Sequence, residues 1–518
     1  MPKEIELKLS LPASCIKHLQ NLPLLKTLGI SQPINKLKLY TIYYDTPDLA
    51  LKRQHCALRL RQIGKNWVQT IKTEGSVASG LHQRNEWEVP VPRNHLDFTQ
   101  LSDPRIIKLL SNSELRKQLR QIFITQFTRH THILQMDEGS QIELCLDHGK
   151  IIVDHTKESF TEIELELKSG KPVQLFRLAL MLVQILPFPL RLENISKAER
   201  GYMLYTGHKD PPIKALPVEL KADMDLTTAF TLIAQNCLDQ LTRNEHGMLA
   251  SSDVEYLHQM RLALRRLRTA FDVFVTATSN EVSLTQELKW LTRQLNPARD
   301  WDVFVTEQLP KIQKNFAEHA GIAVLIKTSE ILRKKHNKTA HNSIRSKRYT
   351  KLILQLNLWL EEIFKYPDRP QALKNAAATK MVLITFTKTF LTDRHQQIID
   401  IVKEIEKLDA ISLHSLRISI KKQRYTVEFF QTLFSPKEVR KYIHSLSGLQ
   451  DALGAINDSI NTQKLLKEIP ASKTKTLISR EATGIILGWN MQRLQRKNIE
   501  LKDTLQLFYR TPLFWETY

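Results

Sequence analysis

Glu162-Ile163-Glu164-Leu165-Glu166-Leu167-Lys168 alternates charged and apolar residues without a break, and Glu4-Ile5-Glu6-Leu7-Lys8-Leu9 does the same near the start of the chain. A period of two is the signature of a strand, because successive side chains leave the backbone on opposite faces. Glu4, Glu6 and Lys8 therefore share one face, as do Glu162, Glu164, Glu166 and Lys168, while the leucines and isoleucines between them take the other. Leu58-Arg59-Leu60-Arg61 and Ile142-Glu143-Leu144-Cys145-Leu146-Asp147 repeat the pattern. With Asp147-His148-Gly149 and Lys168-Ser169-Gly170-Lys171 read as turns, residues 1 to about 205 are expected to form an antiparallel sheet or barrel. Helical patches around 14–25, 103–121 and 173–186 make this half α+β.

Beyond it the patterning changes. Asp210-Pro211-Pro212-Ile213-Lys214-Ala215-Leu216-Pro217 holds three prolines in seven residues, which neither regular element sustains, so 206–220 reads as a linker. From about 221 the apolar spacing becomes three to four and only six glycines follow, which predicts an all-α half. The whole chain has 518 residues and a formal net charge of +21, and residues 221–518 carry 45 basic against 31 acidic side chains. Polyanions are natural partners for such a chain. Four cysteines without a C-x-x-C pair suit a reducing compartment. The first residues lack the apolar core of a signal peptide, and the most apolar stretch, 175–190, contains Arg177, Pro187 and Pro189. A cytoplasmic protein without membrane insertion is the expectation.

The helical half also repeats itself. Leu257-His258-Gln259-Met260-Arg261 is followed by Arg265, Arg266 and Arg268, and Leu413-His414-Ser415-Leu416-Arg417 by Lys421, Lys422 and Arg424, each member displaced by 156 residues. A similar segment, read as a loop, follows each copy: Leu295-Asn296-Pro297-Ala298-Arg299-Asp300 and Leu453-Gly454-Ala455-Ile456-Asn457-Asp458. A period this long suits a duplicated bundle, about 221–370 and 371–518.

Glutamates gathered on one strand face repel one another unless something compensates. Carboxylates without His or Cys suit a hard cation, Mg²⁺ or Mn²⁺. A solvated sheet face with Glu–Lys pairs is the competing reading for any single E-x-E-x-K. Two such strands lying among cationic ones weaken it. Arg59 and Arg61 share parity, Lys72 ends Trp67-Val68-Gln69-Thr70-Ile71-Lys72, Arg84, Glu86 and Glu88 alternate together, and Arg129 opens a further strand-like run. Forked guanidinium groups and compact ammonium groups match phosphate oxygens. Carboxylates with Arg and Lys in one cavity are what a metal-bound polyphosphate requires. No Walker loop, G-x-S-x-G or H-E-x-x-H occurs, so P-loop, serine-hydrolase and zincin chemistry lose their main support.

These residues resemble the CYTH, or triphosphate tunnel metalloenzyme, family: Glu4-Ile5-Glu6-Leu7-Lys8 fits its E-x-E-x-K signature. The match continues through Tyr43-Tyr44-Asp45-Thr46, Leu58-Arg59-Leu60-Arg61, Thr70-Ile71-Lys72 and Glu162-Ile163-Glu164-Leu165-Glu166 to Ser196-Lys197. The resemblance covers about 1–205 and implies an eight-stranded antiparallel tunnel, open at both ends, with flanking helices. It implies metal binding by Glu4, Glu6, Glu162, Glu164 and Glu166, and phosphate binding by Lys8, Arg59, Arg61, Lys72, Arg84, Arg129 and Lys197. It also implies that Lys8 or Lys72 protonates the leaving group. The base is open among Glu86, Glu88 and Glu164, and Glu143 and Asp147 have weaker claims. Residues 221–518 resemble the CHAD domain through His258-x-x-Arg261 and its copy at His414. Asn296-Pro297 departs from that pattern, standing where the second copy has Gly454.

His258, Arg261, Arg265 and Arg268 fall on one helical stripe, and His414, Arg417, Lys421 and Arg424 on another. A solvated face is the bland reading of either stripe. The duplication, with the CHAD resemblance, points to inorganic polyphosphate. The run from Arg333-Lys334-Lys335 to Lys351 is less specific. Nucleic acid is disfavoured, because no DNA- or RNA-binding motif accompanies the charge. The order of the two domains resembles bacterial inorganic triphosphatases, and cleavage of inorganic triphosphate to diphosphate and phosphate is the expected activity. Thiamine triphosphatase, nucleoside triphosphatase and adenylyl cyclase are the rivals of the same fold, and a non-enzymatic polyphosphate-binding scaffold the rival of another class.

Overall fold

The computed structural model describes residues 3–29, 35–73, 75–99, 104–208, 210–275, 279–365, 382–403, 410–469 and 477–516. They form two compact units, Met1–Pro211 with Arg345–Glu362, and Pro212–Ile344 with Ile363–Tyr518.

The first unit is built on the strands β1 (Lys3–Ser10), β2 (Asn35–Asp45), β3 (Cys56–Ile63), β4 (Asn66–Thr73), β5 (Ser76–Ala78), β6 (Leu81–Val91), β7 (Arg120–Gln135), β8 (Gln141–Val153), β9 (Thr156–Ser169) and β10 (Arg191–Leu192). Eight of them run β1-β9-β8-β7-β2-β3-β4-β6, and β1 pairs with β6 to close an antiparallel barrel, with Glu4 opposite Arg84 and Glu6 opposite His82. The short β5 and β10 extend β6 and β1. Leu7, Leu9, Ile163 and Leu165 are fully buried on the outer face, under helix α1 (Val173–Ile185). Period-two alternation then sends Glu4, Glu6 and Lys8 of β1 and Glu162, Glu164 and Glu166 of β9 toward the lumen. That is why the two alternating stretches decide the fold.

Two expectations change. Asp147-His148-Gly149 is not a turn but the middle of β8, where Asp147 faces Arg129 and Gly149 faces Phe127 in the β7 register. A Cβ on Gly149 would lie 2.1 Å from Gln126 O and 2.3 Å from Phe127 Cβ, so this glycine serves close strand approach. Arg129 correspondingly sits inside β7 rather than opening it. Gly170, at φ +99°, does end β9 as a turn residue should.

The second change concerns the expected opening at both ends. Phe123 and Phe127 share parity with Arg129, Ile151 and Val153 with Asp147, and Phe160 with Glu162. With Leu39, Tyr43, Ile122 and Tyr202 they form one buried apolar cluster. Helix α2 (Lys197–Thr206) packs on β7 and β8 and brings Tyr202 and Gly201 onto that cluster. One end of the lumen is thus filled with aromatic side chains, and the charged layer lies beyond them. A Cβ at Gly201 would lie 2.2 Å from the Phe123 ring, which is itself held by stacking on Tyr43 at 4.4 Å and edge contact with Tyr202 at 5.3 Å. Gly201→Ala is expected to cost about 1–3 kcal/mol through overpacking. Thermal unfolding should show a Tm several degrees lower, and an unchanged Tm would contradict this packing.

The segment Arg345–Glu362 groups with the barrel unit by its contacts. Lys347 Nζ donates to Leu186 O at 2.7 Å, Thr350 Oγ1 to Leu190 O at 2.6 Å, and Arg177 pairs with Glu362 at 3.1 Å. These anchors take up carbonyls left free at the end of α1 and beyond it.

The second unit is helical. Residues 211–221 carry no regular element, and Ile213 is held at both its N–H and C=O by Asn244. Helix α3 (Val254–Phe274) packs on Leu226–Arg243, on α4 (Ser279–Val303) and on α5 (Ala410–Phe430). The segment at 295–300, read as a loop, lies inside α4 with Pro297 in the helix. Its counterpart runs into the helix Gly454–Glu468. Among the described residues no helix is long and apolar enough to cross a membrane.

Candidate functional site

The lumen holds one cavity lined by Glu4, Glu6 and Lys8 of β1, Tyr43 of β2, Arg59 and Arg61 of β3, Lys72 of β4, Arg84 of β6, Arg129 of β7, Glu164 and Glu166 of β9, and Ser196, Lys197 and Ala198 at the start of α2. On one wall Asp147, Glu162 and Glu164 bring carboxylate oxygens within 4.8 Å of one another, all three buried. Lys197 Nζ joins them, 2.8 Å from Asp147 and 2.9 Å from Glu164 with Glu162 also in contact. Arg129 forks onto Asp147 at 2.7 and 2.6 Å and reaches Glu164, which also contacts Lys8.

Burial opposes every charge here, so partners decide the outcome. At Glu164, Lys197, Lys8 and Arg129 outweigh burial and hold the carboxyl well below the usual range. Asp147 is likewise lowered against burial, by Arg129 and Lys197. Glu162 goes the other way: burial dominates and its carboxyl is raised. Its Oε2 is buried without a hydrogen bond, with Arg200 Nη1 4.0 Å away. An orphaned carboxylate oxygen within an all-oxygen triad fits a hard divalent cation. Lys8 and Lys197 are raised although burial lowers them, because the same carboxylates prevail.

The other wall is cationic. Lys72 lies between Glu4 at 2.6 Å and Glu86 at 3.1 Å, and Arg59 contacts Glu86 at 3.1 Å and Glu88 at 3.4 Å. Arg61 donates only to the Thr41 hydroxyl at 3.2 Å among its described hydrogen bonds. Burial, Arg59 and Arg129 together pull its guanidinium down to about 10. A cation held this far below its ordinary value is one that an anion would stabilise. Arg84 is positioned by His82 at 3.2 Å and Glu199 at 3.4 Å. The start of α2 adds the positive end of a helix, closed by a Ser196–Glu199 capping box.

Of the sequence-derived barrel residues, Glu4, Glu6, Lys8, Arg59, Arg61, Lys72, Arg84, Arg129, Glu164, Glu166 and Lys197 line the cavity, while Glu86 and Glu162 contact its lysines from beside it. Glu162 and Glu164 meet in the triad, whereas Glu4 and Glu6 pair with Lys72 and Lys8, the latter at 2.9 Å. Glu166 turns toward Lys168, 2.7 Å away, and burial raises its carboxyl. Asp147, given only a weaker claim from the sequence because a turn was read at its position, completes the triad. Tyr43 and His82 also reach this region. The phenol of Tyr43 is buried, yet Arg59 and Arg61 lower it.

A second basic cluster lies in the helical unit. Arg261 and Arg265 of α3 come together with Arg417, Lys421 and Arg424 of α5, and Arg265 Nη1 reaches Tyr425 Oη at 3.4 Å. Burial first, then Asp300 against Arg265 and Arg299, leave Arg261 at about 10. Arg299, Arg261 and Arg265 also crowd His258, whose imidazole burial lowers. Arg268 donates to Thr292 at 3.5 Å, and His414 stands half-buried one turn before Arg417. Arg299 was missed as a site residue because it follows the repeat motif. Arg266, adjacent to Arg265, turns inward to Gln240 and Asn236 and lies over Phe429, a structural role. Arg333 pairs with Asp302 at 2.7 Å and Glu330 at 3.2 Å, so the run it begins is not a single free stripe.

A closed barrel with a charged lumen, followed by a helical unit with a basic cluster between two of its helices, defines the class. Residues 2–202 match the CYTH domain and residues 232–467 the CHAD domain, so the chain carries a CYTH domain followed by a CHAD domain. It is 36% identical over 208 residues to an inorganic triphosphatase of Haemophilus influenzae, a match covering 39% of this chain and 55% of that protein, about half its length. The crystal structure of the CHAD domain from the plant Ricinus communis is similar at 28% identity and a TM-score of 0.51, covering 59% of this chain and 98% of that one.

Proposed function

We propose that the barrel hydrolyses inorganic triphosphate to diphosphate and phosphate with Mg²⁺ or Mn²⁺, and that the helical groove binds inorganic polyphosphate. The observation that carries the first part is one lumen that holds both a buried carboxylate triad with an orphaned Glu162 oxygen and an arginine, Arg61, whose described hydrogen bonds include no carboxylate. Asp147, Glu162 and Glu164 would hold the cation, with Glu4 and Glu6 beside them. A bound divalent ion supplies charge neutralisation to the phosphate oxygens. Arg59, Arg61, Arg84 and Arg129 would orient the phosphates and take up charge as the bond to the leaving group lengthens. Lys8, raised by its carboxylates, suits holding charge more than releasing a proton. That leaves Lys72 the better candidate for the leaving group, with Glu86 beside it at 3.1 Å to receive a proton. The triphosphatase of Haemophilus influenzae supports this reading through the identity of its matched region.

The test is phosphate release from tripolyphosphate, ATP and thiamine triphosphate with and without Mg²⁺ or Mn²⁺, for wild type and Glu6→Gln. Tripolyphosphate should be preferred at least tenfold, and Glu6→Gln should lose most of that rate. Preference for another triphosphate would keep the lumen chemistry and change the substrate, and cyclic AMP from ATP would make it a cyclase. No metal-dependent release from any of them would sink the enzyme reading and leave polyphosphate binding as the activity.

A further inference from the structure

The two halves of the groove are unequal. Each carries a histidine and three cations at matching positions, but the second cation of the second stripe is a lysine, Lys421, where the first has Arg265. Lys421 is half-buried on α5, one turn from Arg417 on one side and Arg424 on the other, and Arg261 and Arg265 face it from α3. Its neighbour Lys422 has an aspartate of its own, Asp272, at 2.6 Å. Among the described residues no carboxylate forms an ion pair with Lys421. Asp458 of Gly454–Glu468 also acts on it, but is shared with Arg417 and Arg493 and is itself raised by burial. Asp300 is engaged by Arg261 at 3.5 Å, and Tyr425 by Arg265. The Nε of Arg417 is buried and has no hydrogen-bond partner in the described structure. An arginine cannot shed its proton in such company, whereas a lysine can.

We propose that the groove takes up a proton when it takes a phosphate-type polyanion, with Lys421 as the acceptor. The proposal rests on the polyanion-binding reading of the groove and adds how that binding is regulated. In the empty groove, burial and then the repulsion of Arg265, Arg417, Arg261 and Arg424 pull the Lys421 ammonium down to about 6. At neutral pH it is therefore an amine, which limits the self-repulsion of the empty site. An anion lying across the guanidinium groups reverses their field at Lys421 and restores an ordinary lysine. Between about pH 6 and the higher value in the complex, binding and protonation are then one event. Affinity should fall about tenfold for each unit of rising pH within that window, and level off below it, where Lys421 is already charged. A permanently charged residue at this position removes the linkage but keeps the cation.

The experiment is calorimetric titration of the full chain with long-chain inorganic polyphosphate, in EDTA so that no hydrolysis intervenes. It is run at pH 7.5 in two phosphate-free buffers of different ionisation enthalpy and repeated from pH 6 to 8.5. Wild type should take up about one proton more per occupied groove than Lys421→Arg, and its affinity should fall more steeply with pH. Terminal phosphates titrate here too, but equally with both proteins, so the difference isolates the side chain. Lys421→Met, which has nothing to protonate, should match Lys421→Arg in proton uptake while binding more weakly. Equal uptake by wild type and Lys421→Arg overturns the proposal and leaves the groove reading intact. Absence of polyphosphate binding, or binding unaffected by Arg417→Ala, overturns both.

Discussion

Glu164→Gln is expected to lower kcat/KM for tripolyphosphate by about 10³-fold while the chain stays folded. Glu164 is the carboxylate on which the lumen converges: Lys8, Lys197 and Arg129 all contact it, and together they hold it ionised against burial. Glutamine keeps the shape and removes the charge. The triad is left with Asp147, already claimed by the Arg129 fork, and Glu162, the member whose ionisation burial resists. A cation would then meet roughly half the negative charge, and three neighbouring cations would lose their common partner. Loss of one preorganised electrostatic group typically costs about 10²–10³-fold, and loss of part of the metal site adds to it. Steady-state phosphate release across a range of Mn²⁺ concentrations is the measurement, with circular dichroism as the check on folding. Glu158→Gln, on the same strand but paired with the peripheral Arg200 at 2.7 Å, should stay within about twofold of wild type. Activity of Glu164→Gln within tenfold of wild type would remove the triad from the mechanism.

The parts of this site that could be read in the sequence are those governed by parity. Alternation in 4–9 and 162–168 fixes which side chains share a face, and closure of the barrel leaves the charged face one place to go. Parity also carried the aromatic layer, since Phe123, Phe127 and Arg129 are spaced by twos, but nothing local distinguishes a lumen that continues from one that is filled. Asp147 was obscured by its neighbours: His148 and Gly149 make a plausible turn, and only the crowding by Phe127 on the adjacent strand explains a glycine in mid-strand. In the helical unit, 3.6-residue periodicity picked out the stripes but said nothing of Arg266, which turns inward to Gln240 and Asn236. It could not reveal which cations lack a countercharge, because Asp272, Asp300 and Asp458 come from positions outside each stripe.

Lys197→Met should destabilise the chain in EDTA by about 3–5 kcal/mol, and added Mn²⁺ should restore more stability to it than to wild type. Lys197 touches all three triad carboxylates, so its removal leaves buried like charges without their shared partner, the costly way to break a buried ion pair. For a unit of this size that corresponds to a fall in Tm of about 10 °C. The pH dependence follows from the same contacts. In wild type the lowered Asp147 and Glu164 contribute stability that is present above their unfolded values near 4 and is lost as pH falls through their folded ones. In the variant Asp147 and Glu164 are held down by Arg129 and Lys8 alone, and Glu162, which burial already raises, loses the ammonium it touches, so the penalty is greatest at neutral pH and is relieved as the carboxyls protonate. The Tm gap between the two proteins should therefore be widest near pH 7 and narrow toward pH 5. A divalent cation answers the same demand as the ammonium, which is why it should act more strongly where the ammonium is missing. Phosphate release should stay low even with Mn²⁺, because Lys197 also lines the cavity where the phosphates are to sit. Thermal scans with and without Mn²⁺ at pH 5 and 7 decide it: a variant as stable as wild type, or one indifferent to Mn²⁺, would mean that the carboxylates are neutralised by one another's protons and that no cation belongs among them.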